Sequence, residues 1–403
     1  MTSVVGTQDV SLTAWGFGLT GLSATIYARA RTGFGSEAVW PGSGDRFDAM
    51  LAYAQLVRSG WTVRAGRQEV RSGLGFSSFD GGSIAWRSSK LRLQGYGGRS
   101  LARGLRDPAN DALRGLEDFL PDQGIYLWGG AAAMRLATAS GALRYQREIL
   151  ADRSGLASER ASLDLSTALP GVRLEGSLDW DFGRGQPGKG HVTALVPISA
   201  GTWTVSGSLR RYVPYFSLST IWGFFEPVAY HEAEARVAWS PSREVGAWLT
   251  GGRRSYGDTR TVTVLRSLED TGWRGEVGAA WSLRPSWRID GRYELEWVPG
   301  GFLSSAETTV AWMPEARYSL AVTGMSLQQI EQFRLGDGRA HGVGLSGQMQ
   351  LGQRMNLSGG GSVLRHTMDG GDGPWNQSRA WTSLRVRVGS DPGLANRRGG
   401  VSR

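Results

Sequence analysis

Charged side chains alternate with apolar ones along the segment from Trp287 to Trp297. The even positions carry arginine, aspartate or glutamate, and the odd positions carry aromatic, aliphatic or glycine residues. Successive side chains of a β-strand point to opposite faces, so this segment predicts a strand with one charged and one apolar face. Rows of opposite charge create a field that orients solutes and sets ion preference, and this is the chemistry that the charged face predicts.

The sequence contains no arrangement typical of catalysis or metal binding. The four histidines are far apart and lack the partners of a metal site: His191, His231, His341 and His366. On a strand, His231 faces away from Glu232 and Glu234, so these three do not form a joint site. A Gly-x-Ser-x-Gly elbow is absent, and a chain without cysteine cannot attach c-type haem. We therefore expect no catalytic residue, no metal, no cofactor and no enzymatic activity.

Composition narrows the class of protein. The 403 residues include 60 glycines, about twice the average usage of about 7%. The chain contains no run of about 18 apolar residues, so we expect no transmembrane helix, whereas a membrane barrel tolerates a polar average. The net charge is +9. We expect no nucleic acid partner, because the arginines alternate along strands rather than clustering in one arm or helix.

The pattern of Trp287 to Trp297 recurs in the preceding segment, Trp273 to Leu283. Aromatic residues lie at both ends of each apolar face, and about ten residues separate them, as in a strand that crosses a bilayer. The predicted fold class is an all-β transmembrane antiparallel barrel. Tryptophans at the ends of the apolar faces are predicted to lie at the membrane interfaces: Trp239, Trp273, Trp281, Trp287, Trp297 and Trp381.

The charged faces are predicted to line the lumen of this barrel. The residues assigned to the lumen are Arg67, Glu69, Arg173, Glu175, Asp179, Arg274, Glu276, Arg288, Asp290, Arg292, Glu294 and Glu296. A barrel of about twenty strands is too wide for side chains to fill, so its interior holds water or another protein. The surplus of arginine favours passage of anions. Alternatively, these charged residues pair with each other and serve only to keep the wall rigid.

Connections between predicted strands alternate in length, and short turns on one side with long loops on the other are typical of outer-membrane barrels. Treating the tract from Asp9 to Arg31 as one strand gives about 20 strands, within a range of 18 to 22. An even number of strands would place both chain termini in the periplasm. A turn at Gly18–Gly21 would add one strand and make the number odd. We predict one barrel over residues 1–390 and a frayed tail over 391–403.

Two segments depart from the strand pattern. Residues 101–122 predict a short amphipathic helix in a long loop, since Asp107 and Pro108 resemble a helix start and leucines follow at helical spacing. This helix either packs on the barrel rim or folds inward and narrows the lumen. Residues 214–230 form an aromatic-rich loop, which either caps the barrel mouth or docks a partner or a sugar.

A soluble β-sandwich or β-propeller would bury the apolar faces instead. These faces contain small residues such as Gly275 and Ala279, and their aromatic residues gather at the ends rather than at the centre. A blade-length repeat is also absent, although a propeller requires one. These features favour the membrane barrel.

One stretch resembles a known family. Gly66-Arg67-Gln68-Glu69, then Gly73, then Phe79-Asp80-Gly81-Gly82 is similar to a strand-and-loop signature of Gram-negative porins and alginate-export-type barrels. The similarity covers about twenty residues and implies an outer-membrane location, a β-barrel and passage of solute. We expect Arg67 and Glu69 to project into the lumen and Asp80-Gly81 to form a turn.

Two functions follow from these expectations. The first is a porin-like channel with a charged, arginine-rich lumen, in the outer membrane of a Gram-negative bacterium. The second is a sleeve that houses a partner protein in the lumen, such as the multihaem cytochrome of a porin–cytochrome electron conduit. In both, outer-membrane lipid and lipopolysaccharide surround the barrel.

Overall fold

The computed structural model describes residues 3–35, 46–101, 124–151, 155–213, 229–257, 271–298, 301–315, 317–330, 337–368 and 373–386. These residues form 21 β-strands: β1 Ser3–Trp15, β2 Leu22–Gly35, β3 Arg46–Arg58, β4 Trp61–Ser72, β5 Gly75–Arg87, β6 Leu91–Ser100, β7 Ile125–Arg135, β8 Ala139–Leu150, β9 Leu156–Leu169, β10 Val172–Asp181, β11 Gln186–Ile198, β12 Trp203–Tyr212, β13 Tyr230–Trp239, β14 Val245–Tyr256, β15 Thr271–Arg284, β16 Trp287–Val298, β17 Gly301–Glu315, β18 Tyr318–Ile330, β19 Gly338–Gln350, β20 Met355–Met368 and β21 Trp375–Val386. None of the residues described belongs to a helix long and apolar enough to cross a membrane.

The strands form one antiparallel meander that curls into a barrel wall. Each strand pairs with the next along the chain, from β1–β2 to β20–β21. Within the described ranges no ladder joins β1 to β21, which are the two edges of the sheet. This confirms the predicted all-β transmembrane barrel of about 20 strands.

The strand count exceeds the prediction of twenty by one, because the tract from Asp9 to Arg31 is a hairpin rather than one strand. Gly16, Gly18 and Gly21 adopt φ values of 97°, 76° and 85°, and these left-handed conformations let the chain reverse between β1 and β2. A Cβ atom on Gly21 would also overlap the carbonyl oxygen of Val57. With an odd number of strands, β1 and β21 run in the same direction, so the predicted even number of strands is wrong.

One other prediction on the connections is wrong, and three predicted segments lie wholly or mostly outside the described residues. Asp80-Gly81 lies inside β5 instead of forming a turn, and only Gly73–Leu74 connects β4 to β5. Apart from their flanking residues, the predicted helical segment 101–122 and the aromatic loop 214–230 lie outside the described residues, as does the tail 391–403.

The barrel has two distinct ends. Connections from odd to even strands, such as Ser59–Gly60 between β3 and β4, are short turns, and we call this the short-turn end. The other end contains the longest connections, which follow β2, β6, β12 and β14, and we call it the long-loop end. This asymmetry matches the alternation predicted from the sequence.

One face of the wall carries exposed apolar side chains, and we call it the outer face. Leu249 and Val277 lie near its middle. Tryptophan pairs lie at its short-turn end: Trp61–Trp86, Trp203–Trp239 and Trp287–Trp312, with ring centroids 6.3, 6.1 and 6.3 Å apart. Trp281 lies at the same end, while Trp273 pairs with Trp297 at the long-loop end. Two aromatic levels enclose an apolar band, as a bilayer with two headgroup levels requires.

Trp381 differs from the other predicted interface tryptophans. The register leads from Trp312 through Leu320, Gly347 and Gly359 to Thr382, so Thr382 lies on the outer face. Trp381 pairs with Gly360 and therefore points to the inner face. The glycine accounts for this position, because an indole ring fits over a residue that has no side chain.

Candidate functional site

The inner face of the barrel carries the predicted charged residues of β10, β15 and β16, and many of them form ion pairs. Arg254 on β14 forms ion pairs with Glu232 on β13 and Glu296 on β16. The side chain of Glu232 is 2% exposed and that of Arg254 is 12% exposed. Arg254 reaches Glu296 across β15 because its neighbour there, Gly272, has no side chain. This part of the wall is therefore cross-linked over four strands.

A second network surrounds Arg274 on β15. Its Nε donates to Glu294 Oε1 at 2.6 Å, and it lies 3.4 Å from Glu234 and 3.6 Å from Glu276. Trp248 Nε1 donates to Glu276 Oε1 at 2.6 Å. One arginine thus meets three carboxylates, so these side chains hold neighbouring strands together.

Other predicted lumen residues are exposed and lie in weaker contacts. Arg288 lies 3.5 Å from Asp290, and Arg173 lies 3.8 Å from Glu175. Arg292 Nη2 donates to Glu307 Oε2 at 3.0 Å, with both side chains about half exposed. Exposed pairs are weak because water screens them. Their charges therefore remain available to solutes in the lumen.

The tip of the β4–β5 hairpin, residues 70–79, leaves the wall and folds across the inner face, and we call this tip the flap. Arg160 Nη1 on β9 donates to the Leu74 carbonyl at 2.9 Å, and Gln146 Nε2 on β8 donates to Ser77 Oγ at 2.9 Å. In the wall, β6 and β7 lie between β5 and β8. The flap therefore spans the inner faces of two strands to reach its contacts.

Apolar packing holds the flap against the wall. Phe79 stacks on Tyr96 with ring centroids 5.8 Å apart, and Leu127 and Val70 complete the cluster. Phe79 is 0% exposed and Leu127 is 1% exposed. Inner-face side chains of a wide barrel are normally wet, so this burial is explained by a covering layer on the wall. The flap supplies Phe79 and Val70 to that layer.

Buried polar groups fix the flap in place. Tyr96 Oη donates to Gln146 Oε1 at 3.0 Å, and Gln146 in turn donates to Ser77. Arg160 also forms an ion pair with Asp179, whose side chain is 3% exposed. Asp179, predicted to face solutes, instead orients the arginine that binds the flap. Unpairing a buried charge is costly, so these contacts favour one flap position.

Three glycines in register form a crease below the flap. Gly66 pairs with Gly81, and Gly81 pairs with Gly98. A Cβ atom on Gly81 would overlap the Gly97 carbonyl, one on Gly98 would overlap the Asp80 carbonyl, and Gly66 has φ +119°. Strands approach each other closely here because no side chain keeps them apart, and this allows β4 and β5 to bend inward.

The crease and the flap coincide with the stretch that resembles porins. Arg67 donates to both carboxylate oxygens of Asp80 at 2.7 and 2.8 Å, which braces the hairpin beside the crease. By alternation Gln68 and Val70 face the wall, so Glu69 and Arg71 lie on the free face of the flap. Sequence reasoning missed Gln146 and Arg160, although the motif marked the hairpin that they bind.

We predict that Gly81→Ala destabilises the barrel, because its methyl group overlaps a backbone oxygen. The free energy of unfolding should fall by about 2 kcal/mol, measured by denaturant titration in detergent micelles. Gly82→Ala is the matched control, since a Cβ atom there lies 3.6 Å from its nearest neighbour, the Arg64 carbonyl oxygen. Equal stability of the two variants would contradict the tight crease.

Histidines and carboxylates form no metal site in the described part of the chain. No group of three or more His, Cys, Asp or Glu is placed to bind an ion there. His191 contacts Ser177 Oγ at 2.7 Å, His341 contacts Ser326 Oγ at 2.9 Å, and His366 stacks on Trp375. Each has its own local partner, and the absence of enzymatic activity stays a prediction.

Comparison with known proteins identifies the fold. No protein-family model matches the chain, and no curated protein sequence matches it. The solved structure of the ferric enterobactin receptor PfeA in complex with BCV-L6 matches with a TM-score of 0.59 and 12% identity, covering 95% of this chain and 78% of that chain. A variant of that receptor from Pseudomonas aeruginosa, in complex with enterobactin, gives a TM-score of 0.57 and 13% identity, with coverage of 95% and 78%.

The copper transporter OprC matches with a TM-score of 0.52 and 11% identity, covering 95% of this chain and 79% of that chain. At such low identity these similarities concern the fold alone. The apolar outer band and the polar inner face are what a strand wall needs in the outer membrane of a Gram-negative bacterium. The chain is therefore an outer-membrane β-barrel by fold and by location.

Proposed function

We propose that the barrel is a porin-like channel, in which solutes pass through a charged lumen narrowed by the flap at its long-loop end. The observation that carries this proposal is the flap itself, which takes up part of the lumen along the inner faces of β6 to β9. Arg71, on the free face of the flap, contacts Glu69 at 3.2 Å and has a side chain that is mostly exposed. Solutes would therefore meet a pair of opposite charges at the narrow level.

The exposed arginines of the wall support a preference for anions. Arg173 and Arg288 contact carboxylates only at 3.8 and 3.5 Å in the pairs described above, and both are more than half exposed. A cation that water reaches attracts anions into the lumen, whereas the buried networks around Arg254 and Arg274 are largely neutralised by their carboxylates. Selectivity is thus assigned to the exposed residues and rigidity to the buried ones.

The proposal is tested by conductance of the purified chain in planar bilayers with a salt gradient across the membrane. We expect stable open-channel steps and a reversal potential that indicates anion preference. A folded barrel that never conducts would contradict the channel. It would favour the sleeve for a partner protein, which we rank second because the flap occupies space that such a partner would need.

We predict that Arg173→Glu/Arg288→Glu shifts the reversal potential toward cations, since the change replaces two exposed positive charges by negative ones. The shift should be measured at low ionic strength, where the Debye length is about 30 Å and screening is weak. Arg173→Lys/Arg288→Lys is the matched control and should keep the anion preference. An unchanged reversal potential in the glutamate variant would exclude these residues from ion selection.

A further inference from the structure

Three nitrogen-rich side chains cluster on the outer face at the long-loop end. Arg211 on β12 pairs in register with His231 on β13, and Arg211 Nη1 lies 3.2 Å from His231 Nε2. Arg253 on β14 is in register with Ala233, two residues along β13 from His231. Strand spacing of about 4.8 Å and a rise of about 3.3 Å per residue place the two arginine Cα atoms about 12 Å apart. Both guanidinium groups can therefore reach one ligand between them.

The outer face around this cluster lacks a compensating negative charge in the described residues. Every carboxylate within β11 to β16 lies on the inner face by register. Arg253 stacks over Trp273 at 5.3 Å, while its neighbour Arg254 points inward to two glutamates. The buried Nε of Arg211 has no hydrogen-bond acceptor there. The cluster thus offers donors and positive charge without a carboxylate that neutralises it.

The cluster lies at the edge of the apolar band. Trp203 and Arg211 lie eight residues apart on β12, about 26 Å along the strand at about 3.3 Å per residue. With a strand tilt of about 40°, this is about 20 Å along the barrel axis, close to the height of the apolar band, about 25 Å. Long arginine side chains extend from such a position to the headgroup level. A ligand bound between these side chains would therefore lie at the level of the lipid headgroups.

We propose that Arg211, His231 and Arg253 bind a phosphate group of a phosphorylated glycolipid of the outer leaflet. Arginine forks bind phosphate oxygens in a bidentate manner, and such charge-assisted hydrogen bonds are strong at a partly dehydrated interface. The assignment to the outer leaflet rests on the proposed function as an outer-membrane channel, because such barrels have short periplasmic turns and longer extracellular loops, which places the long-loop end outside the cell. Gly190, in register with Arg211, places no side chain of its own beside the guanidinium group, and Leu178 packs against it.

The test uses native mass spectrometry of the full chain in detergent micelles. The probes are diphosphoryl lipid A, the same lipid A after enzymatic removal of its phosphates, and phosphatidylglycerol. We expect diphosphoryl lipid A to bind about tenfold more tightly than the dephosphorylated form and than phosphatidylglycerol, as loss of charge-assisted contacts predicts. Arg211→Gln/Arg253→Gln should abolish this preference.

Arg58→Gln/Arg243→Gln is the matched control, because it removes two charges at the short-turn end and should keep the preference. A double variant at Arg211 and Arg253 that retains the preference would overturn the site. Equal binding of phosphatidylglycerol and lipid A would overturn the assignment to a glycolipid. Conductance and lipid binding test the two proposals separately. If the wild-type channel conducts but shows no preference for lipid A, only the lipid site is wrong. If the wild type does not conduct but still binds lipid A, only the channel is wrong.

Discussion

Shortening the flap should at least double the open-channel conductance, which is the largest effect that we expect of any change in the lumen. The variant replaces residues 70–77 by Asn-Gly, so that Glu69 and Ser78 flank a two-residue turn. These two residues already face each other in the β4–β5 register, and Asn-Gly favours the tight turn that such a hairpin needs. The flap contacts to Gln146 and Arg160 are lost, and the opening widens.

The increase should appear in single-channel recordings as steps about twofold larger or more, because conductance follows the cross-section at the narrowest level. Replacing Ser59–Gly60 by Asn-Gly alters a turn at the opposite end and is the control for hairpin engineering. Steps of wild-type size in the shortened variant would mean that the narrowest level lies elsewhere. A second experiment uses the absence of native cysteine. In Ser77→Cys/Gln146→Cys, oxidation would link the flap to β8, and the conductance should stay at the wild-type value.

Glu232→Gln should lower the free energy of unfolding by about 3 kcal/mol, the second large effect that we expect. This glutamate is almost fully buried and pairs with Arg254, so a neutral amide leaves the arginine short of one counter-charge in a poorly hydrated part of the wall. The measurement is denaturant titration of the folded barrel in lipid vesicles, followed by tryptophan fluorescence.

Glu307→Gln is the matched control for this prediction. It removes the carboxylate of an exposed pair with Arg292, and exposed pairs contribute less than about 1 kcal/mol. If both variants lost the same stability, the distinction between a buried network that stiffens the wall and exposed charges that face solutes would be wrong.

Alternation along the chain was sufficient to predict the wall. Segments such as Trp287 to Trp297 specify both the strand and its two faces, since their charged and apolar positions differ by one residue throughout. The same rule failed at Trp381, which shares the inner face with small residues of β20. An aromatic residue identifies a strand without identifying its face when the neighbouring pattern is weak. The strand number was wrong by one for a related reason. The tract on both sides of Gly18–Gly21 alternates continuously, so the sequence did not indicate the turn between β1 and β2.

The flap was beyond prediction from local pattern, because its position depends on distant partners. Gln146 and Arg160 lie 69 and 86 residues from the flap residues that they bind. Within β4 and β5 themselves, the sequence indicates only a strand-and-loop signature, and its predicted turn at Asp80-Gly81 lies inside β5. The porin-like motif identified the hairpin but not the roles of its residues. In the fold, Gly66 and Gly81 form the crease, Arg67 pairs with Asp80, and Phe79 packs on the wall.

The glycine crease also bears on how steady the current through the barrel will be. Bending of a sheet concentrates where side chains are missing, so thermal motion of β4, β5 and β6 should be largest at Gly66, Gly81 and Gly98. Rotations about this line displace the flap tip only when the contacts to Gln146 and Arg160 open, and each such opening changes the area open to ions. We therefore expect excess open-channel noise at a fixed voltage, with a bandwidth set by flap motion.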